Sequence, residues 1–120
     1  MEPYILLLDD NDDLAYNLKL LLEMEGFTVN TSSDVCQALD LARHQVPGLI
    51  MADIRMPETN GYDFFQQIKS DQLLSTVPFI FLSALTSAED VARGLGVGAD
   101  DYITKPFNIE DLLTVVRRYI

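Results

Sequence analysis

Gly48-Leu49-Ile50-Met51-Ala52-Asp53-Ile54-Arg55-Met56-Pro57 is the stretch that decides the fold. A short uncharged, mostly apolar run ends in a single carboxylate, and a polar, proline-stopped loop follows at once. Bounded by turn residues, such a run predicts a strand buried on both faces of a parallel sheet. Asp53 then stands where the strand stops. In open parallel sheets, ligands bind outside the carboxyl ends of the strands. The question this raises is which other polar residues reach the same edge.

Working outward, Tyr4 to Leu8 is a second continuous apolar run, ended by Asp9-Asp10-Asn11-Asp12-Asp13. Leu14, Leu18, Leu21 and Leu22 recur at helical spacing behind it, and Gly26 stops that helix. Residues 27–31 alternate apolar and polar, as a half-buried edge strand does. Ser32, Ser33 or Asp34 caps a helix whose inward face is Val35, Ala38, Leu39 and Ala42. Beyond Asp53, Asn60-Gly61 signals a turn before a helix through Phe64, Phe65 and Ile68. Val77 to Leu82 is a further buried strand, closed by Ser83. The helix after it carries Ala88, Val91, Ala92 and Leu95, and glycines 94, 96 and 98 weaken it, each by about 1 kcal/mol against alanine. Asp101 to Thr104 is a fifth strand, ended by Lys105-Pro106. Asn108 caps a last helix that buries Ile109, Leu112, Leu113 and Val116. Strand and helix alternate five times, which predicts an α/β domain: a parallel sheet with helices on both faces and right-handed crossovers. The two long apolar strands, 4–8 and 77–82, belong near its middle.

Composition narrows the function. The chain has 120 residues, the size of one domain, with 48% hydrophobic residues, enough for a real core. Its net charge of −11 argues against gripping phosphate backbones or an anionic membrane by itself. One cysteine, Cys36, excludes an intrachain disulfide and points to a reducing compartment. Tyr4 to Leu8 is too short for a signal peptide or a span. The expectation is a cytoplasmic domain that recruits a divalent cation.

In a parallel sheet the ends of strands one, three, four and five share one rim. Reading them gives Asp9 and Asp10, then Asp53, Ser83 and Lys105. Singly, each has an ordinary explanation. Asp10, Asn11 or Asp12 suits a helix cap, Asp53 a turn, Ser83 a capping hydroxyl and Lys105 a solvated charge. Together they exceed what capping requires. Two carboxylates about 4 Å apart repel by ~4 kcal/mol at an effective dielectric of 20. Three need a cation or a proton. Lys105 supplies one charge, and the remainder suits Mg²⁺, which prefers carboxylates. His44 and Cys36 stand alone and offer no zinc site. Mg²⁺ beside carboxylates is the setting of phosphoryl transfer, and a carboxylate can itself be the nucleophile. Asp53, single and central, is the candidate acceptor. Asp9 and Asp10 would hold the metal, and Lys105 and Ser83 would contact phosphoryl oxygens.

At these residues the chain resembles the receiver, or phosphoacceptor, domain of two-component response regulators. The resemblance spans residues 1–120 as one domain. It rests on Asp9-Asp10, on Asp53-Ile54-Arg55-Met56-Pro57-Glu58-Thr59-Asn60-Gly61, on Ser83-Ala84, and on Gly98-Ala99-Asp100-Asp101-Tyr102-Ile103-Thr104-Lys105-Pro106-Phe107. It implies a doubly wound, flavodoxin-like (βα)5 fold with strand order 2-1-3-4-5. It implies a phosphorelay switch, not an enzyme acting on other substrates: Asp53 takes a phosphoryl group from the phosphohistidine of a sensor histidine kinase or a phosphotransfer protein. It implies Mg²⁺, or Mn²⁺ in its place, held directly by Asp10 and Asp53, by Asp9 through water, and by the backbone carbonyl of Arg55. It implies a cis Lys105–Pro106 bond. Phosphate on Asp53 would draw Ser83 inward, and Tyr102 would turn into the vacated space. The surface of the fourth helix, fifth strand and fifth helix would then change toward an output domain, a partner protein or a second copy. Arg55 and Leu85 occupy positions that tune phosphoryl lifetime in relatives. Val115 stands where regulators with winged-helix outputs carry a dimer arginine, which leaves their dimer mode open here. The end at Ile120 fits a stand-alone receiver or one cut from a longer protein, the second being the preferred expectation.

Two other functions compete. A haloacid-dehalogenase-type phosphatase also uses an aspartyl nucleophile, but it needs an acid two positions on, where this chain has Arg55. A phosphorylation-independent interaction module would not need the full set Asp9, Asp10, Asp53, Ser83 and Lys105.

Overall fold

Three strands are buried at every position in the computed structural model, which describes residues 3–55, 60–84 and 88–120: β1 (Ile5–Leu8), β3 (Leu49–Ala52) and β4 (Phe79–Ser83). Continuous apolar sequence permits this, because a parallel strand is covered on both faces. β2 (Val29–Ser32) and β5 (Asp101–Thr104) are only partly buried. They form the two edges of one sheet with order β2-β1-β3-β4-β5, and every pairing is parallel. The predicted strand order and the central placement of the two long apolar strands are both observed.

Five helices alternate with these strands among the described residues: α1 (Asp12–Met24), α2 (Val35–His44), α3 (Gly61–Lys69), α4 (Ala88–Gly96) and α5 (Ile109–Tyr119). Four begin on a side chain that accepts an otherwise orphaned amide. Asn11 takes the N–H of Leu14, Asp34 that of Cys36, Asn60 that of Asp63 and Asn108 that of Asp111. Asn60-Gly61, read as a turn, is thus the cap and first residue of α3.

Period-two alternation divides the core. Leu6, Leu8, Ile50, Ala52, Phe79 and Phe81 face α2 and α3. Ile5, Leu7, Leu49, Met51, Ile80, Leu82 and Ile103 face α1 and α5. The sheet is therefore doubly wound. On the α3 side, rings of Phe65, Phe79 and Phe81 meet edge-on or tilted at 4.9–5.8 Å, geometry that suits aromatic quadrupoles.

One boundary moves. The alternating run 27–31 pairs only from Val29. Gly26, at φ 94°, ends α1 in a Schellman motif: its N–H donates to the Glu23 carbonyl and the Phe27 N–H donates to the Leu22 carbonyl. Phe27 is consumed by the helix stop and packs into the α1 side of the core.

Candidate functional site

The register explains how the site assembles. Leu8 pairs with Ala52, so Asp9 and Asp53, each one step further, lie side by side. Their backbones are fixed there: the Asp9 N–H donates to the Ser32 carbonyl and the Asp53 N–H to the Leu8 carbonyl, each at 3.0 Å. Ser83 pairs with Thr104, and the Lys105 N–H donates to the Ser83 carbonyl at 2.7 Å. Continuing the alternation past the strand ends puts Asp9, Asp53 and Lys105 on the α1/α5 side of the sheet. Ser83 falls on the other side, with Phe81.

Carboxylate oxygens of Asp9, Asp10 and Asp53 lie within 4.8 Å of one another. Asp9 is fully buried and Asp10 exposed. The Lys105 ammonium bridges two of them, 2.9 Å from Asp9 Oδ2 and 3.3 Å from Asp53 Oδ2. Asp9 Oδ1 accepts the Asn11 N–H at 2.9 Å, and Asp53 Oδ1 accepts the Arg55 N–H at 3.4 Å. Three carboxylates against one ammonium leave an excess of negative charge in a partly buried place. An all-oxygen donor set of this size suits a hard divalent cation such as Mg²⁺.

Burial pushes the Asp53 carboxyl above the ordinary carboxylate value, and the neighbouring Asp9 charge adds to the rise. The Lys105 ammonium and the Arg55 amide oppose it. A carboxyl raised in the folded state favours its protonated form there. Its contribution to stability is present below the unfolded value of 3.8 and is lost as pH rises through the folded value. Asp53→Asn removes that loss. In metal-free buffer Asp53→Asn should be more stable than wild type at neutral pH, where the wild-type carboxyl has lost its proton. The gap should shrink as pH falls toward the carboxylate range. A gap that widens on acidification in urea titrations would sink this account.

Ser83 is buried at the end of β4, and its side chain lies close to the Tyr102 hydroxyl, where it eases the rise that burial gives that phenol. Tyr102 pairs in register with Phe81, which makes Ser83 its diagonal neighbour on the same face. The Tyr102 ring is half-buried beside Phe81, centroids 6.3 Å apart. Arg55 has an exposed side chain and forms an isolated bridge with Asn60. The Lys105–Pro106 bond is cis, as the resemblance implied. Met56, Pro57, Glu58, Thr59 and Leu85 lie outside the described residues. His44 and Cys36 are exposed on α2, apart from the rim.

Reasoning from sequence missed Gly61. Its N–H donates to the Ile54 carbonyl at 2.7 Å, seating the first turn of α3 directly against the end of β3.

Comparison with known proteins agrees with this geometry. The family model "Response regulator receiver domain" matches residues 5–117. The DNA-binding response regulator MtrA of Mycolicibacterium paratuberculosis is 40% identical over 117 residues, covering 98% of this chain and 51% of that protein. The DNA-binding dual master transcriptional regulator RpaA of Synechocystis is 36% identical over 115 residues, covering 96% and 48%. The chain thus spans about half the length of these relatives. Among solved structures, the chemotaxis protein CheY4 of Vibrio cholerae superposes with a TM-score of 0.91 at 28% identity, each chain covered completely. The non-phosphorylated HemR receiver domain of Leptospira biflexa gives 0.87 at 32% identity, covering 98% of this chain and 94% of that one. Among the described residues no helix is long and apolar enough to cross a membrane. By sequence over nearly its whole length and by fold, the chain is a member of the response regulator receiver domain family of two-component signalling.

Proposed function

We propose that this domain is a phosphorylation-dependent switch whose acceptor is Asp53 and whose donor is a phosphohistidine on a sensor kinase or phosphotransfer protein. The observation that carries this is the rim itself: three carboxylates within 4.8 Å, with one ammonium bridging Asp9 and Asp53. Receiver domains take Mg²⁺ at an acidic pocket of this kind. Here Asp10 and Asp53 would hold it directly, Asp9 through water, and the Arg55 carbonyl would complete the protein's share. When bound, the ion neutralises charge on the carboxylates and on the incoming phosphoryl oxygens.

The remaining work falls to the chain. An Asp53 carboxylate oxygen attacks phosphorus, the P–N bond breaks, and the imidazole leaves with its electron pair. Asp53 must be ionised to attack, and the Lys105 charge offsets the burial that opposes ionisation. Lys105 also offers a point charge to phosphoryl oxygens, and the Ser83 hydroxyl offers a donor. Ser83 already contacts Tyr102, so a change in what Ser83 donates to is passed to the β5 edge and α4. The output is carried outside residues 1–120 or by a partner, and the α4-β5-α5 surface is where it is read, with a homodimer through that surface as one arrangement. Arg117 and Arg118 pair within the chain, with Glu25 at 3.2 Å and Asp101 at 3.3 Å. A copy-to-copy contact through them would first have to break these pairs.

Intact mass after acetyl phosphate and Mg²⁺ tests the assignment. Wild type should gain one phosphoryl group and Asp53→Asn none. Equal labelling of both would remove Asp53 as the acceptor. No labelling of wild type, with no uptake of beryllofluoride, would favour an interaction module.

A further inference from the structure

Gly94 lies inside α4, where glycine is disfavoured relative to alanine. Its backbone gives no reason for glycine, since the left-handed glycines of the described residues are Gly26 and Gly98. Its surroundings do. A Cβ built on Gly94 would fall 2.6 and 2.7 Å from Cδ2 and Cε2 of Tyr102, and 3.4 Å from Cδ2 of Phe81. Gly96, two residues on in the same helix, has nothing within 4 Å of such an atom.

We propose that Gly94 is a positioning residue of the switch: its missing side chain is the space that lets the Tyr102 ring lie under α4 with its hydroxyl against Ser83. This rests on the reading of Asp53, Ser83 and Tyr102 given above and adds the residue that sets the tyrosine's place. Three features make the ring, and not its neighbours, the part that yields to a larger residue. Phe81 is fully buried among Tyr62, Phe65 and Phe79 and has nowhere to retreat. α4 is tied to α3 by the Arg93 guanidinium, 4.6 Å above the Tyr62 ring, which resists lifting of the helix. Tyr102 sits on an edge strand, half-buried, with solvent open to it. With the ring expelled, Ser83 loses its tyrosine partner. Against the ring the Ser83 hydroxyl has fewer orientations open to it than it has in solvent. Without the ring it must be ordered at the moment a phosphoryl oxygen binds, and it is the weaker donor for that reason.

The test compares Gly94→Ala with Gly96→Ala in wild type and in Tyr102→Ala, in the full chain. Tyrosine is labelled at Cζ, and Tyr102 is assigned by its loss in Tyr102→Ala. Burial holds the Tyr102 hydroxyl above the ordinary tyrosine value. Gly94→Ala should bring its titration back toward that value, while Gly96→Ala leaves it in place. Beryllofluoride affinity in Mg²⁺ should fall about fivefold in Gly94→Ala, the scale of one modest hydrogen bond. It should not change in Gly96→Ala, nor when Gly94→Ala is added to Tyr102→Ala. An unmoved Tyr102 titration in Gly94→Ala, or an equal affinity loss without Tyr102, overturns the proposal. If wild type binds no beryllofluoride, the acceptor reading fails, and the Tyr102 titration still decides the role of Gly94.

Discussion

Gly61→Ala should destabilise the domain by about 2–3 kcal/mol, the usual range for forced overpacking, and weaken Mg²⁺ binding at least tenfold. The added Cβ would collide with the Asp53 carbonyl oxygen and lie 2.9 Å from Ile54 Cα and 3.0 Å from the Asp53 carbonyl carbon. All of these are backbone atoms, so no side chain can swing aside. The strand end cannot withdraw either, because the Asp53 N–H is held by Leu8 and the Ile54 carbonyl by Gly61 itself. Relief requires α3 to back away from β3. That breaks the 2.7 Å Gly61–Ile54 bond and tilts the peptide that aims Asp53 and Arg55. Urea denaturation gives the stability, and titration calorimetry gives the Mg²⁺ affinity. Wild-type values for both would show that α3 does not press on the acceptor loop. A stability loss with unchanged Mg²⁺ affinity would show that the loop is aimed by something other than Gly61.

The contrast between Gly61 and Asp53 marks what a sequence can disclose. Asp9, Asp53, Ser83 and Lys105 were legible because each ends a predicted strand, and parallel strands must share a rim. Period-two alternation even implies which of them share a side. The helix cap at Asn108 was legible, and the one at Asp34 was narrowed to Ser32, Ser33 or Asp34, because capping is local chemistry. Interactions between elements distant in sequence were not. Nothing along the chain says that Gly94 makes room for Tyr102 or that Gly61 touches Asp53. Each read as a helix weakener or a turn because only local preference was visible. The same holds for Phe27, where alternation suggested a strand and the Schellman stop at Gly26 took the residue instead. Tyr102 read as a switch only through the family resemblance. Its half-buried place depends on a partner strand, a ring and a gap in a helix that follow from tertiary packing alone.

Lys105→Met should separate two duties that one ammonium performs. The substitution keeps most of the aliphatic stem and removes the charge. Asp9 is then left with its side chain 0% exposed and Asp53 with 12%, both beside Asp10 and without a cation. Within 4.8 Å and at an effective dielectric of 20, each carboxylate pair repels by at least about 3.5 kcal/mol. Protonation and relaxation absorb part of this, so a loss of about 2–3 kcal/mol in metal-free buffer is expected. Millimolar Mg²⁺ should recover that loss, and more steeply than it stabilises wild type. In wild type the ion would compete with Lys105 for carboxylate oxygens of the rim, and ligand stabilisation grows with affinity as RT ln(1 + [L]/Kd). Phosphoryl uptake from acetyl phosphate should nevertheless remain about 100-fold slower than wild type in saturating Mg²⁺. A metal that neutralises the carboxylates does not replace a charge aimed at the oxygens of the transferring group. Thermal unfolding with and without Mg²⁺, beside single-turnover labelling followed by intact mass, reads both quantities on one preparation. If Mg²⁺ restores stability and rate together, Lys105 serves only to neutralise the rim. If it restores neither, the 2.9 Å contact with Asp9 is a structural tie whose loss disorders the site.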